Sequence, residues 1–289
     1  MQERKIHTKS PTVGTSAKQI VFLLHGYGAD GADLIDLSSP FSMVLPYAKF
    51  ISPDAPFDCK MSLMGKEWFP IEEIPNGAIK ASHELLSLIK QECDKENLKF
   101  ENVLLIGFSQ GAMMSIQSLL LSDYNFLGII GYSGGTSLEN INASRHLIDK
   151  NTHKNSLTPV LLVHGEEDDI VPFSSLDNAK KLLTEVGFDV KTVNRPGLAH
   201  GIDPDGISAG MEFVKNIIKF WSRFNKTEIN VVNIRLLFLG IIINMLNFSP
   251  TLVLNADYQP LSYYPLSLWS WQDSVKAVFL NRVDIVAEY

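Results

Sequence analysis

Apolar residues along this chain gather into short unbroken runs, each closed by glycine or a turn former. Residues 19–24 (QIVFLL), 102–107 (NVLLIG), 126–131 (FLGIIG) and 159–163 (PVLLV) are apolar at successive positions. Such runs predict strands covered on both faces. Residues 188–194 (FDVKTVN) alternate apolar and polar, which predicts an edge strand. Between these runs the period becomes helical. Residues 77–93 set Ile79, Leu85, Leu86 and Ile89 on one stripe, as an amphipathic helix does. Residues 109–121 are apolar almost all round and predict a buried helix. Residues 174–187 end on Gly187, a favourable C-terminal cap, and 207–224 form a long amphipathic stretch. Strands alternating with helices predict an α/β fold with a mostly parallel central sheet flanked by helices. Catalytic loops then belong at the C-terminal ends of the strands.

The pattern stops near Asn225. Residues 226–249 are apolar but irregular, with neither cap nor heptad. Residues 251–289 begin a new pattern that holds Trp269 and Trp271. The chain therefore reads as a domain over 1–225, an apolar junction over 226–250 and an appendage over 251–289. The longest apolar run of the junction, LLFLGIIINML (236–246), has 11 residues. About 20 are needed to span a bilayer, so stable membrane insertion is not expected.

Composition narrows the function. The 289 residues are 45% hydrophobic and 20% charged, enough to build a real core. A net charge of -7 argues against a nucleic-acid partner, which needs a basic face to displace counterions. The appendage has Lys276 and Arg282 as its basic residues, with three acids near them, Asp273, Asp284 and Glu288. Two cysteines, Cys59 and Cys93, make no disulfide framework. With a polar N-terminus lacking an apolar signal core, they predict a cytoplasmic protein with reduced thiols.

The chemistry centres on Gly107-Phe108-Ser109-Gln110-Gly111, set between a buried strand and a helix. G-x-S-x-G in that context is a nucleophile elbow, a tight turn that lifts the serine hydroxyl off the sheet. A serine hydroxyl needs a base, and in this architecture the order is serine, acid, histidine. Downstream, His164-Gly165-Glu166-Glu167-Asp168-Asp169 offers four carboxylates, and Gly197-Leu198-Ala199-His200-Gly201 follows the last strand. Chain order selects His200 among seven histidines. His25 and His164 close strands and read as loop supports. His164 with its neighbouring carboxylates could also be read as a metal site, but six residues of one loop rarely close a coordination shell. An oxyanion hole needs two N–H donors. Gln110, after the nucleophile, supplies one, and Tyr27 in the Gly-rich turn His25-Gly26-Tyr27-Gly28 supplies the other.

Residues 19–224 resemble the phospholipase/carboxylesterase family of α/β-hydrolases, which includes the acyl-protein thioesterases. The motifs are LLHGYGAD (23–30), ISPDAPF (51–57), EWFPI (67–71), GFSQGAMMS (107–115), YSGG (132–135), HGEEDDIVP (164–172) and GLAHGI (197–202). The resemblance implies a Ser109–Asp168–His200 triad with oxyanion donors at Tyr27 and Gln110. It implies hydrolysis of carboxylic esters or thioesters, including lipid acyl groups, with no metal and no organic cofactor, and dimers as a common assembly. It also implies a shallow apolar acyl groove near Leu63, Met64, Trp68 and Phe69. Ala29 before Asp30 departs from the family pattern, as does the acidic Glu166-Glu167 pair, which should disfavour anionic substrates. Residues 251–289 resemble the start of an HNH-endonuclease-family protein, without the histidine-bearing catalytic part. The appendage thus reads as a truncated fragment with no chemistry of its own. The alternative is that it carries the role, as a membrane anchor or an interaction module.

Overall fold

The computed structural model describes residues 4–60, 62, 64–137, 139–144, 158–227, 251–252 and 268–269. The chain divides into two units, Met1–Trp221 and Ser222–Tyr289. In the second unit two short strands, Thr251–Leu252 and Leu268–Trp269, pair antiparallel. The remaining expectations for the junction and the appendage lie outside the described residues.

The first unit is built on a seven-stranded sheet. Its strands are β1 (Ile6–Lys9), β2 (Gln19–Leu24), β3 (Ala48–Pro53), β6 (Val103–Phe108), β7 (Gly128–Tyr132), β8 (Val160–Gly165) and β9 (Val190–Arg195). A separate hairpin joins β4 (Phe57–Asp58) to β5 (Lys66–Glu67). The sheet order is β1-β3-β2-β6-β7-β8-β9. Every pairing is parallel except that of β1 with β3.

Alternation along the strands explains why both faces are covered. Phe22, Leu24, Leu105 and Leu162 point to one face, where they pack against Leu85 and Ile89 of α3 (Asn76–Glu96), Met114 of α4 (Gln110–Leu121) and Leu183 of α5 (Ser174–Glu185). Val21, Leu23, Ile106 and Val163 point to the other. There they meet Leu34 of α1 (Gly31–Leu34), Phe41 of α2 (Ser38–Ser42), and Phe213 and Val214 of α6 (Pro204–Thr227). Each of the central strands β2, β6, β7 and β8 therefore carries two apolar stripes, which is why their runs look continuous in sequence. Edge strand β9 buries Val190 alone, in line with its alternating pattern.

Three differences from the sequence reading have physical reasons. Strands β1 and β3 were not predicted, because IHTK is polar and exposed and AKFISP is broken by lysine and proline. The stripe of α3 centres on Ala78, Ala81, Leu85, Ile89 and Cys93. Ile79 and Leu86 sit half-buried at its margins, since small residues face the sheet where α3 packs beside α4. Helix α6 starts three residues earlier than the apolar pattern, because the Asp203 carboxylate accepts the N–H of Gly206 at 2.8 Å and caps it. No helix among the described residues is long and apolar enough to cross a membrane.

Leu105 is fully buried at the centre of the sheet. Leu105→Ala should destabilise the protein by about 2–5 kcal/mol, read as a lower urea midpoint by far-UV circular dichroism. An unchanged midpoint would contradict this account of the core.

Candidate active site

The turn between β6 and α4 places Ser109. Its backbone is forced to φ 53° and ψ -117°, a region that costs a residue with a Cβ about 1–3 kcal/mol. The turn is held by the Ser109 N–H donating to the Tyr132 carbonyl at 2.8 Å, and by the Ser109 carbonyl accepting from Ala112 and Met113. Gly111 is required by close approach: a Cβ there would lie 1.9 Å from the Leu24 carbonyl oxygen and 2.7 Å from that of His25. The start of α4 thus sits directly against the end of β2, where the Tyr27 turn begins. Among the described residues, the backbone N–H groups of Tyr27 and Gln110 have no hydrogen-bond acceptor.

The acid loop after β8 and the histidine loop after β9 interlock. The N–H groups of Glu166 and Glu167 donate to the carbonyls of Arg195 and Leu198, both at 3.0 Å. A Cβ on Gly165 would fall 2.2 Å from the Leu198 carbonyl oxygen, so glycine lets the two loops touch. Of the four carboxylates, Glu166, Glu167 and Asp169 are exposed and Asp168 is buried. Asp168 Oδ2 lies 2.8 Å from His200 Nδ1. Its Oδ1 accepts the N–H groups of Val171 at 2.8 Å and Ile170 at 3.0 Å. Burial raises the pKa of this carboxyl, but the hydrogen bonds from His200 and from the Val171 and Ile170 backbone outweigh it, and the net shift is downward. A carboxylate must accept, so Nδ1 of His200 carries hydrogen and Nε2 is left with a lone pair.

The structure thus joins Asp168 to His200 directly. His200 and Ser109 meet through Phe108, whose ring lies 4.9 Å from the imidazole, centroid to centroid. Among the described residues no hydrogen bond joins Ser109 Oγ to His200. Such bonds are often loose without substrate and tighten in the complex.

Residues 10–222 match the phospholipase/carboxylesterase family. The chain belongs to that family. It is 28% identical over 228 residues to acyl-protein thioesterase 1 of Candida albicans, covering 72% of this chain and 96% of that protein. It is 30% identical over 220 residues to acyl-protein thioesterase 1 of Emericella nidulans, covering 68% and 90%. Among solved structures it resembles esterase PE8, with a TM-score of 0.65 at 30% identity over 74% of this chain and 99% of that one. Arabidopsis thaliana SOBER1 follows at 0.62 and 26%, covering 70% and 100%. Residues 251–289 match the N-terminal domain associated with HNH endonucleases. As a phospholipase/carboxylesterase family member, this chain is a carboxylic-ester hydrolase of the α/β-hydrolase fold.

Within this family member, a buried polar lattice supports the Tyr27 turn. His25 Nε2 accepts the Ala55 N–H at 3.0 Å, so Nδ1 carries the hydrogen and donates to the Gly26 carbonyl at 2.8 Å. Burial holds the His25 pKa below its ordinary value, despite that Gly26 bond. The Trp68 indole N–H donates to the His25 carbonyl at 2.9 Å. The Gln110 side chain accepts the Trp68 N–H at 2.8 Å and donates to the Phe69 carbonyl at 2.7 Å. Gln110 therefore ties the start of α4 to the segment after β5. Hairpin and turn are also joined, because Gly28 N–H donates to the Lys66 carbonyl at 2.9 Å. Interaction with the Cys59 thiol, then burial and the nearby Glu67 carboxylate, push the Tyr27 phenol up to about 12.

Trp68 and Phe69 were expected on the wall of an acyl groove. Each is 1% exposed, because the indole and the Phe69 backbone are turned inward to His25 and Gln110, so they brace the turn from beneath. Leu63 lies outside the described residues. Met64 is 88% exposed. The sequence reading also missed two supports of the His200 loop. Ser133, at φ 49°, donates its hydroxyl to the Gly201 carbonyl at 3.2 Å. Arg195 closes the base of the loop on Asp203, at 2.9 Å from Nη2 to Oδ2. The signal for Ser133 was its place in YSGG, and that for the ion pair was an arginine and an aspartate bracketing the histidine.

His25 sets a pH test. Its folded pKa is below the unfolded value of about 6.5, so the unfolded chain binds more protons as pH falls through that value. This part of the stability is complete above that pH and is lost below it. His25→Gln keeps an acceptor for Ala55 and removes the titration. Its melting temperature should fall less than wild type's between pH 7.5 and 5.5; an equal fall would exclude the neutral buried imidazole.

Proposed function

We propose that this protein hydrolyses carboxylic esters and thioesters through an acyl-enzyme formed on Ser109. The observation that carries the reading is the buried Asp168 accepting from His200 Nδ1 at 2.8 Å, which leaves Nε2 as a base on the side of the elbow. In the first step His200 takes the hydroxyl proton as Ser109 Oγ bonds to the acyl carbon. The resulting oxyanion is received by the N–H groups of Tyr27 and Gln110, consistent with their having no other acceptor among the described residues. The positive end of α4 adds to that field. His200 then protonates the departing alcohol or thiol, which leaves the acyl group on Ser109. Water, deprotonated by His200, attacks the acyl carbon, and Ser109 leaves with the proton. Asp168 stays ionised throughout and stabilises the imidazolium.

The substrate class follows from the relatives named acyl-protein thioesterase and carboxylesterase and from the rim of the site. Met64, on the hairpin bound to the Tyr27 turn, is 88% exposed, and Ile170, beside Asp168, is 67% exposed. These give an acyl chain exposed apolar surface at the rim. Glu166 and Glu167, exposed on the acid loop, favour a neutral or cationic leaving group over an anionic one.

Ser109→Ala should lower kcat/KM for p-nitrophenyl acetate and butyrate by about 10³-fold or more, because a triad acts as a unit. Equal rates in wild type and variant would overturn the proposal. A parallel acyl-thioester assay reads the choice between oxygen and sulfur leaving groups.

A further inference from the structure

The candidate acid is in contact with two histidines. Besides His200, His164 places Nε2 3.2 Å from Asp168 Oδ2, with both side chains fully buried. His164 closes β8, four residues before Asp168. The same Nε2 lies 2.9 Å from the Val171 carbonyl oxygen. That oxygen can only accept, so Nε2 carries the hydrogen and the tautomer is fixed. The ring is further gripped by Phe173, edge-on with centroids 6.1 Å apart. Its Nδ1 is buried with no hydrogen-bond partner among the described residues, which is a cost the fold bears for keeping an imidazole there.

From this we infer that His164 is a positioning residue for the catalytic carboxylate, an inference that rests on the triad reading above. His164 would act on the carboxylate in two ways. First, the N–H holds the Val171 carbonyl, and so fixes the turn 168–171. The N–H groups of Val171 and Ile170 in that turn grip Asp168 Oδ1. Rotation of the carboxylate is then blocked, and Oδ2 remains on the line to His200 Nδ1. Second, the polar Nε2–H group lies 3.2 Å from Oδ2, nitrogen to oxygen, in a site closed to water, where a partial charge counts for more than in solvent. A hydrophobic ring would fill the same space and supply neither effect. Asp168 thus sits between a histidine that moves protons and one that holds the acid still.

The test compares His164→Gln, His164→Asn and His164→Phe in the full-length chain, with Ser109→Ala alongside. Glutamine can carry an N–H to the Nε2 position, asparagine reaches the Nδ1 position alone, and phenylalanine carries none. With p-nitrophenyl butyrate, Asn and Phe variants should lose about tenfold to a hundredfold in kcat, with KM within about twofold of wild type. The Gln variant should exceed the Phe variant by about tenfold. A wild-type kcat in a cooperatively melting Asn or Phe variant overturns the inference. So does a Gln variant as slow as the other two, since the N–H would then be irrelevant. If the Phe variant fails to melt cooperatively, the Gln and Asn pair decides. An active Ser109→Ala would instead break the triad reading, whereas an inactive Ser109→Ala beside wild-type His164 variants would break this inference alone.

Discussion

A carboxylate closed off from water stays ionised only where donors replace the water, and Asp168 is such a group. Its side chain is fully buried, yet its pKa is held down by His200 and by two backbone N–H groups. The turn 168–171 must therefore keep one shape, and the histidine loop must come to it. Both demands are met by backbone: the N–H groups of Glu166 and Glu167 reach carbonyls of the histidine loop, and Gly165 leaves room for that approach. The two loops form one solid piece at the C-terminal ends of β8 and β9. The sheet register sets that piece, since Gly165 pairs with Arg195 at the last rung of the ladder.

A second rigid piece faces it. The elbow at Ser109 holds a backbone conformation that a free peptide would avoid. It persists because α4 is wedged against the end of β2, and because Tyr132 at the end of β7 accepts the Ser109 N–H. The Tyr27 turn is locked to the same place by His25, Trp68 and Gln110, whose hydrogen bonds span three segments of the chain. Packing thus fixes where the Ser109 hydroxyl stands, and the buried polar lattice fixes the turn that carries the Tyr27 N–H. In the mechanism proposed above, reaction geometry depends on how the two pieces sit on one close-packed sheet.

The residues to which the chemistry is assigned above were legible in the sequence, and the side chains that pack and hydrogen-bond around them were not. Ser109 announced itself because an elbow needs small residues at fixed offsets, a constraint written in five consecutive positions. His200 was expected from chain order and Asp168 from the family resemblance, and in the structure Asp168 is the buried one of the four carboxylates. The α/β alternation was legible because a strand covered on both faces must be apolar throughout. Strands β1 and β3 were not, since a polar edge strand and a strand ended by proline carry no period of their own. Trp68 shows the limit most clearly. A tryptophan near an active site suggests a pocket wall, but its indole N–H found the His25 carbonyl, and a buried donor that finds a partner turns inward.

His164 and Gln110 differ from Trp68 in an instructive way. Both are polar side chains in the interior, where an unpaired donor or acceptor costs more than a good hydrogen bond returns. Gln110 satisfies its amide on the backbone of Trp68 and Phe69, 42 and 41 positions away, a pairing invisible at the level of sequence spacing. His164 satisfies one nitrogen and leaves the other without a partner. If stability alone shaped that position, an apolar ring would fill it at lower cost. An imidazole there fits the positioning role inferred above, where the N–H itself is needed: its Nε2 lies 3.2 Å from the Asp168 carboxylate, which His200 Nδ1 meets at 2.8 Å.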